Sequence, residues 1–206
     1  MPTTRWQLAL RESQAPVTRA LKSLGFKKIG NYYNRTVQDG LVQVVGFQSG
    51  QAVSIFHGNL TVNLGVYVPC IAEIEGNATT GRCITDAHCE IRSRLSSVAN
   101  LGRDKWWPLD ESASQSGQLI ANALLSYGVP FLDQYASNSA IVDRFNRDGA
   151  LPFHNSARSM LAIAIIQWSV GATNESLSMF EKACMEPSNN SRFPEYVKKI
   201  KQQCHV

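Results

Sequence analysis

Residues 60–68 read Leu60-Thr61-Val62-Asn63-Leu64-Gly65-Val66-Tyr67-Val68. The five aliphatics fall on every second position. In an extended chain they all leave one face, while Thr61, Asn63, Gly65 and Tyr67 leave the other. That is the pattern of a half-buried strand. Each such side chain gains on the order of 1.5–3 kcal/mol on leaving water, so the row demands a cover. The nearest apolar stripe lies upstream. Pro16 suits a first helical position, where its missing N–H is not needed, and Val17, Ala20, Leu21 and Leu24 follow at i, i+3, i+4 and i+7, closed by Gly25. The spacing predicts a helix opening at Pro16 and lying on the aliphatic row, with an earlier helical turn over residues 6–13.

Further strands can be read around this one. Residues 26–36 form an extended stretch, Gln38-Asp39-Gly40 is a tight-turn signal, and residues 41–48 return, giving a hairpin. Residues 52–56 fit a short strand or an ordered loop. The central strand stops at Pro69, which cannot donate to a ladder. Residues 88–95 alternate again, which would place Cys89, Ile91, Ser93 and Leu95 on one side and His88, Glu90, Arg92 and Arg94 on the other. Trp106 and Trp107 follow in a charged setting, and the serine-bearing residues 111–117 read as a linker.

Beyond residue 117 the period lengthens to that of a helix. Residues 118–127 carry Leu119, Ile120, Ala123, Leu124 and Tyr127 before Gly128-Val129-Pro130, and residues 131–135 continue as a short helix. Ile141, Val142 and Phe145 mark the next. Residues 156–170 are apolar nearly all round, as in a helix buried on most sides. After Gly171, Thr173 stands at the cap position of a helix with Leu177, Phe180 and Cys184. Pro194 opens the last, where Val197 and Ile200 accompany a solvated run of Lys198, Lys199 and Lys201. The pair 156–170 and 173–186 resembles a single tetratricopeptide-type hairpin. Its signature recurs nowhere else, so it implies stacked antiparallel helices rather than an array. The expected fold is α+β: an antiparallel sheet of about four strands covered by an N-terminal helix (1–110), a linker (111–117) and a C-terminal bundle of antiparallel helices (118–206).

Composition narrows the function classes. With 44% hydrophobic and 17% charged residues among 206, the chain suits a globule with a real core. The net charge of +4 is concentrated in the first 110 residues, which hold twelve Lys and Arg against eight Asp and Glu, while the rest balances at eight and eight. That excess is too small to argue for nucleic acid by itself. The start lacks an apolar run of signal-peptide length and no segment is long enough to span a bilayer, so a cytoplasmic protein with no membrane association is expected. Five cysteines without paired C-x-x-C spacing predict free thiols, and neither a metal site nor a cofactor is expected.

The most distinctive polar constellation is the side of the sheet away from the aliphatic row. Asn63, Tyr67, His88, Glu90, Arg92 and Arg94 would share it, with Thr61 and Asp86 beside them. Two arginines there offer planar donor forks suited to carboxylate or phosphate. Trp107, with Trp106, could add an aromatic platform, though a plug at a core edge is the alternative. His88 and Glu90 have the spacing of an acid–base pair on one strand face, but no nucleophile stands at a diagnostic distance and no glycine-rich phosphate loop exists. His57 and His154 read as turn or cap residues.

Several short motifs occur in a familiar order: Leu24-Gly25-Phe26-Lys27-Lys28 with Gly30-Asn31 and Tyr33-Asn34-Arg35, then residues 42–48, 62–67 and 88–95, and Trp106-Trp107. Across roughly residues 16–110 the chain resembles the DUF4304 family, bacterial proteins without an assigned activity. The resemblance implies an intracellular bacterial α+β domain and supplies no catalytic residue. The lack of any catalytic constellation, the compact size and the polar strand face make the expected function a non-catalytic binding protein with a protein partner, of the kind that neutralises a toxin domain. The alternative is a nucleic-acid- or phosphate-ligand-binding domain, or a hydrolase, working through His88, Glu90, Arg92 and Arg94.

Overall fold

The structure is a computed structural model that describes residues 5–50, 58–102, 104–187 and 190–205. The expected segment 52–56 and His57 lie outside the described residues. The fold is α+β, as the sequence predicts. Its antiparallel sheet comprises β1 (Lys27–Ile29), β2 (Tyr32–Thr36), β3 (Val42–Ser49), β4 (Gly58–Tyr67), β5 (Ile91–Arg94) and β6 (Trp107–Leu109). Strands β1 to β5 lie in that order, and β6 pairs with the opening residues of β4, on the edge that β5 occupies further along.

The expected first strand is two, because the chain turns back at Gly30-Asn31. The Asp39-Gly40 turn is as expected, with positive φ at both residues (55° and 73°) and the Val37 amide donating to the Leu41 carbonyl. Strand β4 is the spine. Its register with β3 runs from Val42↔Tyr67 to Ser49↔Leu60, and Leu60, Val62, Leu64, Val66 and Val68 are all buried.

The cover of this row differs from expectation in two respects. Helix α1 (Arg5–Lys22) runs straight through Pro16 rather than opening there, burying Leu10, Val17 and Leu21. A proline inside a helix withholds one N–H from the carbonyl four residues earlier. Around it, local bonds hold the turn: Ser13 Oγ donates to the Leu10 carbonyl (2.9 Å) and Thr18 Oγ1 to that of Gln14 (2.8 Å). The roof is also shared. Residues 113–117, expected as linker, open α4 (Ala113–Ala123), which packs along α1. The two helices meet at Gly117, where a Cβ would stand 2.8 Å from backbone carbon atoms of Ser13. A π-turn over Leu124–Gly128 then leads into α5 (Val129–Asp133) and brings Gly128 close to the side chains of Leu64, Leu95 and Leu124. Ile120 and Leu124 are buried, whereas Leu119 and Tyr127 of the expected stripe face solvent.

Short helices α2 (Pro69–Ile74) and α3 (Leu95–Val98) flank β5. The C-terminal helices follow: α6 (Asn138–Asp148), capped by Ser137; α7 (Ser156–Ser169), capped by Asn155; α8 (Thr173–Met185); and α9 (Phe193–Gln203). A buried bond from Ser176 Oγ to the Ala164 carbonyl joins α8 to α7 (2.8 Å). One apolar cluster runs from Ala9 to Cys204, so both halves of the chain contribute to one core.

Candidate functional site

The side of the sheet opposite the core divides into a covered half and an open half. In the covered half, Val44, Tyr67, Ala72 and Cys89 form a second small apolar cluster beneath α2, with Tyr32, Val42 and Ile84 packed against it. Gly65 makes room for it, since a Cβ there would sit 2.6 Å from Cys89 Sγ. In the open half, the register places Arg92 opposite Gly65 and Arg94 opposite Asn63, so both guanidinium groups rise on the same side as the Asn63 amide.

Asn63, Arg92 and Arg94 line a cleft of about 580 Å³ together with Gln48, Asp86 and Phe153. That volume lies within the usual range of ligand pockets. Asn63 Nδ2 donates to Asp86 Oδ2 (2.9 Å) and to Gln48 Oε1 (3.0 Å). Arg94 pairs with Asp104 (2.8 Å) and lies over the Trp106 ring. Asp104 is largely exposed, and exposed pairs of this kind contribute little. Arg92 lies over Phe153 with its guanidinium carbon 3.8 Å from the ring centroid. Its buried Nε has no hydrogen-bond partner among the described residues. Phe153 comes from the loop before α7, has φ of 74° and is 68% exposed. A non-glycine residue held there is uncommon and marks a constrained loop.

Beside the cleft, in a second pocket of about 500 Å³ that Arg92 also lines, a compact ionic cluster ties the C-terminal helices to the sheet. Arg158 of α7 donates to both carboxylate oxygens of Glu75 (2.6 and 3.1 Å) and, through Nη2, to Glu90 (2.7 Å). His154 Nε2 lies 2.6 Å from the Glu90 carbonyl oxygen and 3.2 Å from its carboxylate. Both are acceptors, so Nε2 carries a proton. Side-chain exposures of 9–19% for Glu75, Glu90, His154 and Arg158 leave the group largely out of water.

Burial raises the pKa of Glu90, but the His154 hydrogen bond and the Arg158 charge outweigh it and hold this carboxyl below the ordinary value. Burial and the neighbouring Glu90 charge push Glu75 up, against the pull of Arg158. Burial opposes the Arg158 charge, yet the two carboxylates raise its pKa. Tyr196 of α9 is pushed up to about 12 by burial and by the Glu75 charge.

The expected site residues therefore part company. Asn63, Arg92 and Arg94 come together on the cleft. Glu90 instead anchors the ionic cluster, because the strand begins only at Ile91. His88 closes a 3₁₀ turn (Asp86–His88) as half of a capping box, its Nδ1 accepting from the Thr85 amide (3.1 Å), so it is not on the strand and forms no couple with Glu90. Tyr67 is buried in the second apolar cluster and Trp107 in the main core, which rules out Trp107 as an exposed platform in favour of the plug. Thr61 is buried and donates to the Lys105 carbonyl (3.2 Å). His154, read from sequence as a turn residue, belongs to the ionic cluster. Glu75, Phe153, Arg158 and Tyr196 escaped sequence reading, since Glu75 and Arg158 stand 83 residues apart with no pattern linking them. Among the described residues no group of three His, Cys, Asp or Glu could hold a metal ion, and no helix is long and apolar enough to cross a membrane.

The family described as a domain of unknown function, DUF4304, matches residues 17–134. The chain belongs to the DUF4304 family. The DUF4304 span contains all of β1–β6, the end of α1 from Val17, and α4 through α5, and with them Asn63, Arg92 and Arg94. Phe153, His154 and Arg158 lie beyond it. No curated protein and no solved structure matches the chain.

Proposed function

We propose that this DUF4304 protein is a non-catalytic binding protein of the bacterial cytoplasm. It seats a group of a partner protein in the cleft between Arg92, Arg94 and Phe153, in the manner of a protein that neutralises a toxin domain. The observation that carries the reading is the cleft itself: a concave, mixed-polarity surface with an arginine whose buried Nε is unpartnered among the described residues. Such a donor costs free energy until something accepts its hydrogen bond.

The electrostatics of neighbouring groups support binding over chemistry. Glu90 is engaged by Arg158 and His154, and the His88 Nδ1 by Thr85, so the acid–base pair of the hydrolase alternative is spent on structure. Burial raises the thiols of Cys70, Cys83, Cys89 and Cys204, the opposite of an activated nucleophile. The five cysteines are free, which suits a reducing compartment.

Tagged protein incubated with host extract tests the reading. A specific protein partner should be retained by the wild type and lost by Arg92→Ala with Arg94→Ala, provided the variant melts as the wild type does. Retention of no protein, or equal retention by the double variant, would overturn it.

A further inference from the structure

We infer that the cleft is a receptor for a single carboxylate, supplied by an acidic side chain of the protein partner and held by the edge of the Arg92 guanidinium against the Phe153 ring. This rests on the binding reading above and names the chemistry of its contact. The Phe153 ring covers one side of the guanidinium. Hydrogen bonds are then left to the in-plane edge, the geometry that two carboxylate oxygens match and a point acceptor does not. The Nε of that edge has no partner among the described residues and is closed to solvent as the cleft stands, so the side chain must shift to present it to the carboxylate.

The charge around the cleft favours a monoanion. Among the described lining residues two arginines face two aspartates: Arg94 pairs with the exposed Asp104, and Asp86 accepts from the Asn63 amide and keeps its charge. Arg92 is the lining arginine that no carboxylate pairs with among the described residues. A dianionic phosphate or a nucleic-acid backbone would meet the Asp86 and Asp104 carboxylates within the same cleft, and like charges brought together are unfavourable. The stem of an aspartate or glutamate has apolar contacts available to it at Pro152 and Phe153, which also line the cleft. The ring that stacks on Arg92 is held out by a backbone of positive φ between two anchors, the buried Leu151 and the Glu90-bound His154. The aromatic wall is therefore in place before a ligand arrives, which lowers the ordering cost of binding.

The arginine Nε–Hε signals of the ¹⁵N-labelled full chain read this directly. Titration with N-acetyl-glutamate amide should move the Arg92 signal saturably, with affinity in the millimolar range suited to so small a probe. Sodium phosphate at matched ionic strength should bind at least tenfold more weakly, and sodium chloride should give no saturation. Arg92→Lys, which keeps the charge and loses the fork, should weaken the probe at least tenfold, and Phe153→Ala, at an exposed position, at least threefold. The Phe153 variant decides the matter if Arg92→Lys does not fold. A response that does not saturate, phosphate binding as tight as the glutamate probe, or unaltered affinity in a folded variant would overturn the inference. If partner retention depends on Arg92 and Arg94 but the probe does not bind, the carboxylate assignment fails and the binding reading stands. If the probe binds at Arg92 but no partner is retained, the assignment stands and the binding reading fails.

Discussion

Replacing Arg158 by methionine tests how the C-terminal helices are fastened to the sheet. Arg158 makes three charge-assisted bonds to two largely buried carboxylates, Glu75 and Glu90. Methionine preserves much of the volume and leaves both acids without their cation. Removing one partner of a buried ionic group costs about 3–5 kcal/mol, because the orphaned charge stays out of water. For a chain of this length each kcal/mol lowers the melting temperature by about 2–4 °C, so a fall of roughly 6–20 °C is expected at pH 7. The loss should also shrink on acidification. Without Arg158, burial and the Glu90 charge raise Glu75 further above its unfolded value near 4.5, while Glu90 loses part of what holds it down and keeps its His154 hydrogen bond. A raised group contributes its full stability below the unfolded pKa and loses it as pH rises through the folded one, so the variant regains stability as pH falls from 7 towards 5. In the wild type the two acids oppose each other: raised Glu75 favours low pH, and lowered Glu90 favours pH above its unfolded value. Urea unfolding followed by circular dichroism at pH 7 and pH 5 measures this. A loss below about 1 kcal/mol, the size of a surface pair, or one that does not diminish at pH 5, would refute the argument. Combining Arg158→Met with Glu75→Gln and Glu90→Gln should recover most of the stability, since no buried charge is then left alone.

Other expectations concern close approaches and thiols. Gly117→Ala places a Cβ against the Ser13 backbone where α1 crosses α4. It should cost about 1–3 kcal/mol or more as overpacking, seen as a lower urea midpoint with an unchanged slope; an unaffected midpoint would show the crossing to be looser. Gly65→Ala drives a Cβ towards Cys89 Sγ, 2.6 Å away, and Cys89→Ala in the same chain should restore part of the loss; additive losses in the double variant would count against the contact. Burial and the Cys70 charge raise the Cys204 thiol from 9.0 to about 11, leaving about a hundredfold less thiolate at pH 8. Iodoacetamide should spare Cys204, and the likewise buried Cys89, until urea is added; mass spectrometry showing equal labelling with and without urea would contradict this.

The sequence revealed what depends on period and little that depends on distance along the chain. The row from Leu60 to Val68 was legible because a period of two admits one face, and all five side chains are buried. The same rule put Asn63, Arg92 and Arg94 on one side correctly. It failed at His88 and Glu90, where continued alternation concealed a 3₁₀ turn ending at His88. Pro16 misled for a different reason: its helix-opening preference is local, and packing of Leu10, Val17 and Leu21 on the core carries the helix through it. Trp107 kept two readings open until burial decided for the plug. The ionic cluster had no signature, since its acids and its arginine come from separate stretches that meet only after α7 packs against α2.

Titration calorimetry of the retained partner against the wild type and against Arg92→Ala is the most direct test of the central claim that the arginine cleft is the working surface. The account expects binding at least tenfold weaker for Arg92→Ala at an unchanged melting temperature. Equal affinity for the two proteins would contradict it.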